Sequence, residues 1–367
     1  MRVLFLNQYF PPDPAPTGVL FRELADRLTA EGHDVDFISA RQDYREGQGK
    51  SGRLRREILA LFRMLIDGLR SRHADVVISG TSPPCLAFVA ALVALRHRAA
   101  HFHWVMDLYP EIAVALGELP PGFLASTIGG LLGWSYRRAA KVVALDADMA
   151  ARLTRRRVSA ECLRPWVFAP VLATRDALLG EAAASVQPST DEPWTWIYSG
   201  NLGRAHEWET LLEAQALLER RDPEIRLLFQ GGGPSWPAAQ ARAKELGLAR
   251  CDWLPYIEEA ELPASLLRCQ ALVVTQRPDI QGLLWPSKLG LVSSLPRPIL
   301  WVGPKEGAIA NLLRELPSAG IFAPGKSDEV AAWILATKRR EADPNLKALD
   351  PRQYREAALE RWVKLLG

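Results

Sequence analysis

The sequence predicts an α/β protein built from two Rossmann-like, doubly wound domains. Three observations predict it: a length of 367 residues, strand-length apolar runs alternating with helix-length amphipathic segments in both halves, and a proline-rich lapse between the halves. A chain of this length exceeds one ordinary core and suits two domains of roughly 150 to 180 residues each. Parallel strands need a crossover, usually a helix, so the alternation points to parallel sheets covered on both faces.

In the first half, strands are expected at VLFLN from Val3, DVDFIS from Asp34, DVVISG from Asp75, HFHWVM from His101 and KVVAL from Lys141. Between Pro165 and Pro193 the pattern lapses into LRPWVFAP, an Ala-rich stretch and QPSTDEP, poor material for a continuing sheet. This gives a first domain over residues 1–170 and a linker over 171–193. The alternation resumes with TWIYSG from Thr195, IRLLFQGGG from Ile225, ALVVTQ from Ala271, PILWVG from Pro298 and GIFAP from Gly320, a second domain over 194–345. Residues 346–367 contain a closing helix, Pro351 to Leu366, with Tyr354, Leu359, Trp362 and Leu366 at roughly helical spacing, expected to return to the first domain.

The bulk composition, 48% hydrophobic and 24% charged, is that of a globular protein, and no apolar run reaches the ~18 residues of a bilayer span. The start MRVLFLNQYFPP reads as a first strand rather than a signal peptide, so a cytoplasmic location is expected. Cys85, Cys162, Cys251 and Cys269 show no paired spacing, indicate neither a disulfide framework nor a zinc site, and are expected to be small buried hydrophobes.

The formal charge of +3 hides two basic clusters in the first half: Arg53, Arg55, Arg56, Arg63, Arg70 and Arg72, then Arg137, Arg138, Lys141, Arg152, Arg155, Arg156 and Arg157. They suggest an anionic surface, membrane rather than nucleic acid because no nucleic-acid-binding motif accompanies them. Within RLRREILALFRMLIDGLRSR, Arg53 to Arg72, residues Leu54, Ile58, Leu61, Leu65 and Leu69 form one helical stripe flanked by arginines. That is the profile of an interfacial helix, with an ordinary stripe turned toward the sheet as the competing reading.

Open α/β sheets bind ligands beyond the carboxyl ends of their strands. The segment YSGNLGRAHEWE, Tyr198 to Glu209, ends a strand in a Gly-rich turn and enters a helix. Gly200, Asn201 and Gly203 would bring backbone close to an anion, the helix N-terminus would offer N–H groups, and Arg204 would offer paired donors. A tight turn with a solvated Arg is the competing reading. FQGGGP, Phe229 to Pro234, adds Gly231 at a second strand end. In LWPSK, Leu284 to Lys288, Pro286 and Ser287 would open a helix, Lys288 would stand near its positive end, and Trp285 would offer an aromatic face. Together these describe a diphosphate pocket.

SGNLGRAHEWETLLEAQALL, FQGGGP and PSKLGLVSSLPRPIL resemble the donor domain of the family 4 (group 1) retaining glycosyltransferases, particularly the branch acting in bacterial surface-polysaccharide assembly. NQYFPPDPAPTGVLFRELADRLTAEGHDV and HWVMDLYPE, His103 to Glu111, resemble the first half of that branch. The resemblance implies a GT-B fold, two Rossmann-like domains facing a cleft, the first binding acceptor and the second nucleotide sugar. It makes Arg204 and Lys288 the pair that neutralises the departing diphosphate, assigns Gly18 a backbone amide toward the same group, and sets Tyr256 and Ile257 beside the base. Asp107 and Glu111 would orient the acceptor, although Asp107 also suits a helix cap. The donor would be UDP-linked and the acceptor lipid-linked or saccharide.

Two departures stand out. Leu283 and Leu291 occupy the places of two family glutamates, so sugar and ribose hydroxyls would fall to other groups such as Asp279, Gln281 and Glu306. Met106 stands where many members carry a histidine, with His101 and His103 earlier on the strand. No Asp-X-Asp pair marks a metal site, since DAD at Asp146 to Asp148 reads as a helix start; metal independence and no further cofactor are expected. A nucleotide-sugar epimerase on the same scaffold and a catalytically degenerate nucleotide-binding scaffold are the alternatives. A dinucleotide oxidoreductase is disfavoured because no G-x-G-x-x-G follows the first strand.

Overall fold

Val, Ile and Leu runs too short for helices and buried on both faces build two all-parallel, six-stranded sheets. The computed structural model describes residues 1–11, 15–40, 52–180, 193–340 and 346–367. Unit 1 comprises Met1–Phe168, Gly282–Trp285 and Tyr354–Gly367; unit 2 comprises Ala169–Gln281 and Pro286–Gln353.

The strands of unit 1 are β1 (Arg2–Leu6), β2 (Asp34–Ile38), β3 (Val76–Ser79), β4 (Ala100–Trp104), β5 (Lys141–Ala144) and β6 (Ala160–Cys162), in the order β2-β1-β3-β4-β5-β6. Its helices are α1 (Pro16–Ala30), α2 (Arg53–Arg70), α3 (Leu86–His97), α4 (Glu111–Ala115), α5 (Phe123–Arg138) and α6 (Ala147–Arg155). Helix α3 packs against both α2 and α5 on one side of the sheet. Leu4, Leu6, Val77, Met64, Leu86, Val89 and Val93 form one core cluster there. Asp146 caps α6 as expected, its Oδ1 accepting from the Met149 amide at 2.7 Å.

Unit 2 holds α7 (Ala169–Leu179), β7 (Trp194–Asn201), α8 (Glu209–Arg221), β8 (Ile225–Gly232), α9 (Trp236–Glu245), β9 (Cys251–Leu254), α10 (Leu262–Leu267), β10 (Ala271–Thr275), α11 (Leu289–Val292), β11 (Ile299–Val302), α12 (Ala308–Arg314), β12 (Ala319–Phe322) and α13 (Ser327–Lys338). Its strand order is β12-β11-β10-β7-β8-β9. The core is aromatic-rich, with Trp196, Tyr198 and Phe229 fully buried and Phe229 stacked on Trp253 at 4.5 Å. The final helix, α14 (Pro351–Leu366), leaves unit 2 at Gln353 and contributes Tyr354 onward to unit 1. There Trp362 meets Trp104 at 5.1 Å, and Trp104 meets Trp166 at 5.4 Å.

Among the described residues ten of the twelve strands lie on the expected runs, and the two that do not, β6 and β9, are both sheet edges. With one neighbour each they need little apolar surface; AEC and CDWL are partly exposed and carry no run to read. The expected linker over 171–193 is corrected at its start, where α7 is helical and belongs to unit 2; residues 181–192 lie outside the described residues. The cysteines are corrected as well: only Cys269 is buried, while Cys162, on edge strand β6, is exposed and Cys85 and Cys251 are half-buried.

Candidate functional site

In unit 2 the chain runs outward from β7 through β8 to β9, then returns to β10 on the other side of β7. This reversal opens a crevice at the carboxyl ends of β7 and β10, where doubly wound sheets bind ligands. Two loops meet there. The Arg277 amide donates to Ala205 O at 2.9 Å, Arg277 Nη1 donates to Arg204 O at 3.1 Å, and His206 Nδ1 donates to Thr275 O at 2.8 Å. Because a carbonyl only accepts, His206 carries its proton on Nδ1.

Lys288 comes to the same place. Its Nζ lies 3.3 Å above the centroid of the Tyr198 ring, and a Cβ built on Gly200 would stand 3.5 Å from it. The nitrogen is buried and has no hydrogen-bond partner among the described residues. Burial, which penalises the charged form, lowers its pKa well below the ordinary lysine value. Burial, and then the charge of Lys288, likewise lower His206 to about 3, so the imidazole stays neutral. Tyr198 packs edge-on against the His206 ring at 5.7 Å, and its hydroxyl donates to Asn201 O at 2.9 Å.

The glycines shape this edge. A side chain at Gly231, where φ is +137°, would place Cβ 2.2 Å from Gly200 O, so these two strand ends approach more closely than any other residue permits. Gly200 itself has φ of +121°. Tyr256 lies over Gly232 and directs its hydroxyl to Asn201 Oδ1 at 3.4 Å, while Ile257 beside it is half-buried. Arg204 is exposed at the rim, its backbone braced by Arg277, which in turn pairs with Asp279 at 2.6 Å. His206 and Arg277 are the residues that reading the sequence missed. His206 lies inside the motif YSGNLGRAHEWE, and Arg277 directly follows the predicted strand ALVVTQ.

Two expectations about helix ends are corrected. Lys288 is the N-cap of α11, a helix of only four residues, too short to carry a useful dipole; Pro286 and Ser287 lie ahead of it, Pro286 buried and Ser287 exposed. At the start of α8 one expected amide is already taken, because the buried Glu207 carboxylate accepts from the Thr210 amide at 3.0 Å. Gly203 has no left-handed backbone, and a Cβ there would meet its neighbours at ordinary contact distance, 3.4 Å from Asn201 Nδ2. Glu306 is exposed and pairs with Arg314 at 3.2 Å, while Gln281 Nε2 donates to the Glu306 carbonyl at 3.0 Å.

In unit 1, Asp107 follows β4 and its amide donates to Thr81 Oγ1 at 3.2 Å. The Leu108 amide donates to Leu283 O at 2.8 Å, and Asp107 forms an antiparallel bridge with Leu284. Leu283 therefore serves this unit through its backbone, with its side chain buried. Burial raises Asp107 to about 6, well above the ordinary carboxylate range. Glu111 is ion-paired with Arg156, which also donates to Tyr109 O at 3.3 Å; Glu111 Oε2 is buried without a hydrogen-bond partner among the described residues. Gly18 sits in the first turn of α1, where a Cβ would meet Tyr9 O at 2.7 Å. Trp285 is buried, as are Trp104 and Trp166, so the latter two are core residues.

His101 and His103 are also core. Ser79 Oγ bonds His101 Nε2 and His103 Nδ1, both at 2.9 Å, and His103 stacks on Tyr136 at 5.1 Å. A single hydroxyl proton serves two ring nitrogens, so one histidine accepts from Ser79 and the other donates to it. Burial pushes His101 down to about 4 and His103 well below its ordinary value.

The predicted stripe on α2 divides. Leu61 and Leu65 pack on the core with Ala60 and Met64, whereas Leu54 at 70% and Phe62 at 60% exposure face outward with Ile58, Leu59 and Leu69. Arg55, Arg63 and Arg70 share that exposed side. At the start of α5, Phe123 is 88% exposed and Leu124 is exposed beside it. Among the described residues no helix is long and apolar enough to cross a membrane.

Comparison with known proteins gives two family matches: Glycosyltransferase Family 4 over residues 17–166 and Glycosyl transferases group 1 over residues 181–282. The probable glycosyltransferase WbjE of Pseudomonas aeruginosa is 29% identical over 260 residues, 67% of this chain and 62% of that protein. The chain thus matches less than two thirds of that relative's length. Among solved structures, HepE from Anabaena, crystallised with UDP and glucose, superposes with a TM-score of 0.63 at 15% identity, over 100% of this chain and 97% of that one. Sucrose-phosphate synthase from Thermosynechococcus elongatus superposes with a TM-score of 0.65 at 14% identity, over 100% and 96% of the two chains. At such identities the superpositions speak for the fold.

Proposed function

Because the chain belongs to the group 1, family 4 glycosyltransferases, with the two-domain α/β fold termed GT-B, we propose that it moves a sugar from a nucleoside diphosphate donor to a lipid-linked or saccharide acceptor. The observation that carries this reading is the buried, unpartnered Lys288 amine at the carboxyl edge of β7, at the switch point of its sheet. A fixed cation aimed at a departing diphosphate is worth several kcal/mol, on the order of ~3 for one preorganised donor. Arg204, exposed at the same rim, is the second cation. The ligands of HepE favour a uridine nucleotide. The resemblance of SGNLGRAHEWE and HWVMDLYPE to the surface-polysaccharide branch favours bacterial surface polysaccharide or glycolipid as the pathway.

The proposed transfer retains the anomeric configuration, a reading supported by the resemblance to the retaining family 4 enzymes. A leaving phosphate oxygen that takes the acceptor's proton removes the need for a dedicated base, and Asp107, poised at about 6, then serves to orient the acceptor hydroxyl. Glu111 anchors Arg156 beside it. Lys288 and Arg204 supply the charge a divalent cation would bring, so catalysis is proposed to be metal-independent; turnover in EDTA equal to that in Mg²⁺ is the expected result of a steady-state assay. The exposed apolar and basic side of α2, with Phe123, supports peripheral attachment to an anionic membrane, at the inner face of the cytoplasmic membrane.

Leucines at 283 and 291 favour one second reading, a scaffold that binds nucleotide without turning it over. Calorimetry with UDP, GDP and dTDP on the parent, Arg204→Ala and Lys288→Ala proteins separates the readings. Tight binding of one nucleotide, weakened about tenfold or more by each substitution, is expected, a loss of at least ~1.4 kcal/mol. Binding without donor turnover identifies the scaffold, and a folded protein that binds none of the three overturns both.

A further inference from the structure

The Lys288 amine raises a question that the donor reading leaves open: what balances its charge when no ligand is bound. An ammonium has three donors, and here none finds an acceptor among the described residues. No carboxylate of the described residues pairs with it. The groups facing it are Tyr198 from β7, His206 from the following loop and the Gly200 backbone. Tyr198 stays neutral because burial raises its phenol well above the ordinary value, and His206 stays neutral because burial opposes its protonation. Among the described residues the face of the Tyr198 ring is the favourable contact for a cation, and a single aromatic face does not replace three hydrogen bonds.

On this geometry, and resting on unit 2 as the donor-binding unit, we propose that Tyr198 and His206 are positioning residues that hold the Lys288 amine in an anion seat without acceptors, where it is uncharged and takes up a proton from solvent when a diphosphate enters. The proton converts the amine to an ammonium, and the phosphate oxygens supply the missing acceptors. Tyr198 sets the height of the nitrogen at 3.3 Å, while His206, fixed by its bond to Thr275 O, holds the Tyr198 ring edge-on. Lys288 is thus charged only when an anion is present. Such a seat selects dianionic ligands over neutral ones and becomes weaker as pH rises, because the proton it needs becomes scarcer.

Calorimetry of the full chain at pH 8, in two buffers of different ionisation enthalpy, measures the proton uptake directly. UDP is the first probe, sulfate a second anion that does not itself titrate in this range, and uridine the uncharged control. Uptake of close to one proton with UDP and with sulfate, none with uridine and none in Lys288→Met, is expected. Tyr198→Phe should preserve the uptake and Tyr198→Leu should lose it. UDP binding with no buffer dependence overturns the inference while leaving the donor reading intact. Sulfate uptake without UDP binding upholds the seat and sinks the donor reading, and binding of neither anion sinks both. Should Tyr198→Leu fail to fold, the parent and Lys288→Met still decide.

Discussion

At the scale of single residues the chemistry depends on groups kept out of water. His101, His103 and Ser79 form a neutral buried cluster whose cost emerges in acid. Their folded pKa values lie below the unfolded value of ~6.5, so the unfolded chain binds more protons as pH falls. Their contribution to stability is complete above about 6.5 and declines toward 4, the value to which His101 is pushed. Asp107 and Asp146, both raised to about 6 chiefly by burial, act oppositely, losing stability as pH rises from about 4 to 6. Urea midpoints at pH 7.5, 5.5 and 4.5 for the parent and His103→Phe isolate the histidine part: the variant should lose less stability between the first and last pH. An equal loss in both would show that the cluster is not neutral when folded.

At the scale of elements, α2 shows what amphipathic spacing conceals. Ala60 and Met64 turn inward against the α3 side of the core, and Gly68 permits close packing on Val93, so the larger apolar side chains are left outside. Burying one such side chain is worth roughly 1.5–3 kcal/mol, so leaving several exposed is costly unless they have a partner. Replacing Leu54, Ile58 and Phe62 together by Ser should abolish sedimentation with anionic vesicles and leave the melting temperature unchanged or raised. A melting temperature lowered by several degrees, with vesicle binding intact, would return the stripe to the core. A sequence reading found the stripe but not its orientation, because a 3.6-residue period is the same whichever side of the helix meets the sheet.

At the scale of the whole molecule, the chain closes unit 1 with its own far end. Trp362 of α14 is fully buried against Trp104, which also meets Trp166 and Phe21. Trp362→Ala should destabilise by about 3–5 kcal/mol and lower the thermal midpoint, because the cavity opens in rigid aromatic surroundings. A shift of less than a degree in differential scanning calorimetry would show that α14 is dispensable to this unit.

The sequence by itself determined the class of fold, ten of twelve strands and the glycine-rich motif at the end of β7. These are local properties: apolar runs fix buried parallel strands, and glycines fix backbone that no other residue can follow. Tertiary structure alone decided the edge strands β6 and β9, the capping of α8 by Glu207, the pairing of Glu111 with Arg156, and the return of Gly282–Trp285 to unit 1. It also decided that Lys288 stands over Tyr198, a residue ninety positions earlier, in a place without acceptors. Burial and partnership are relations between distant segments, and one-dimensional spacing carries no information about which segments meet.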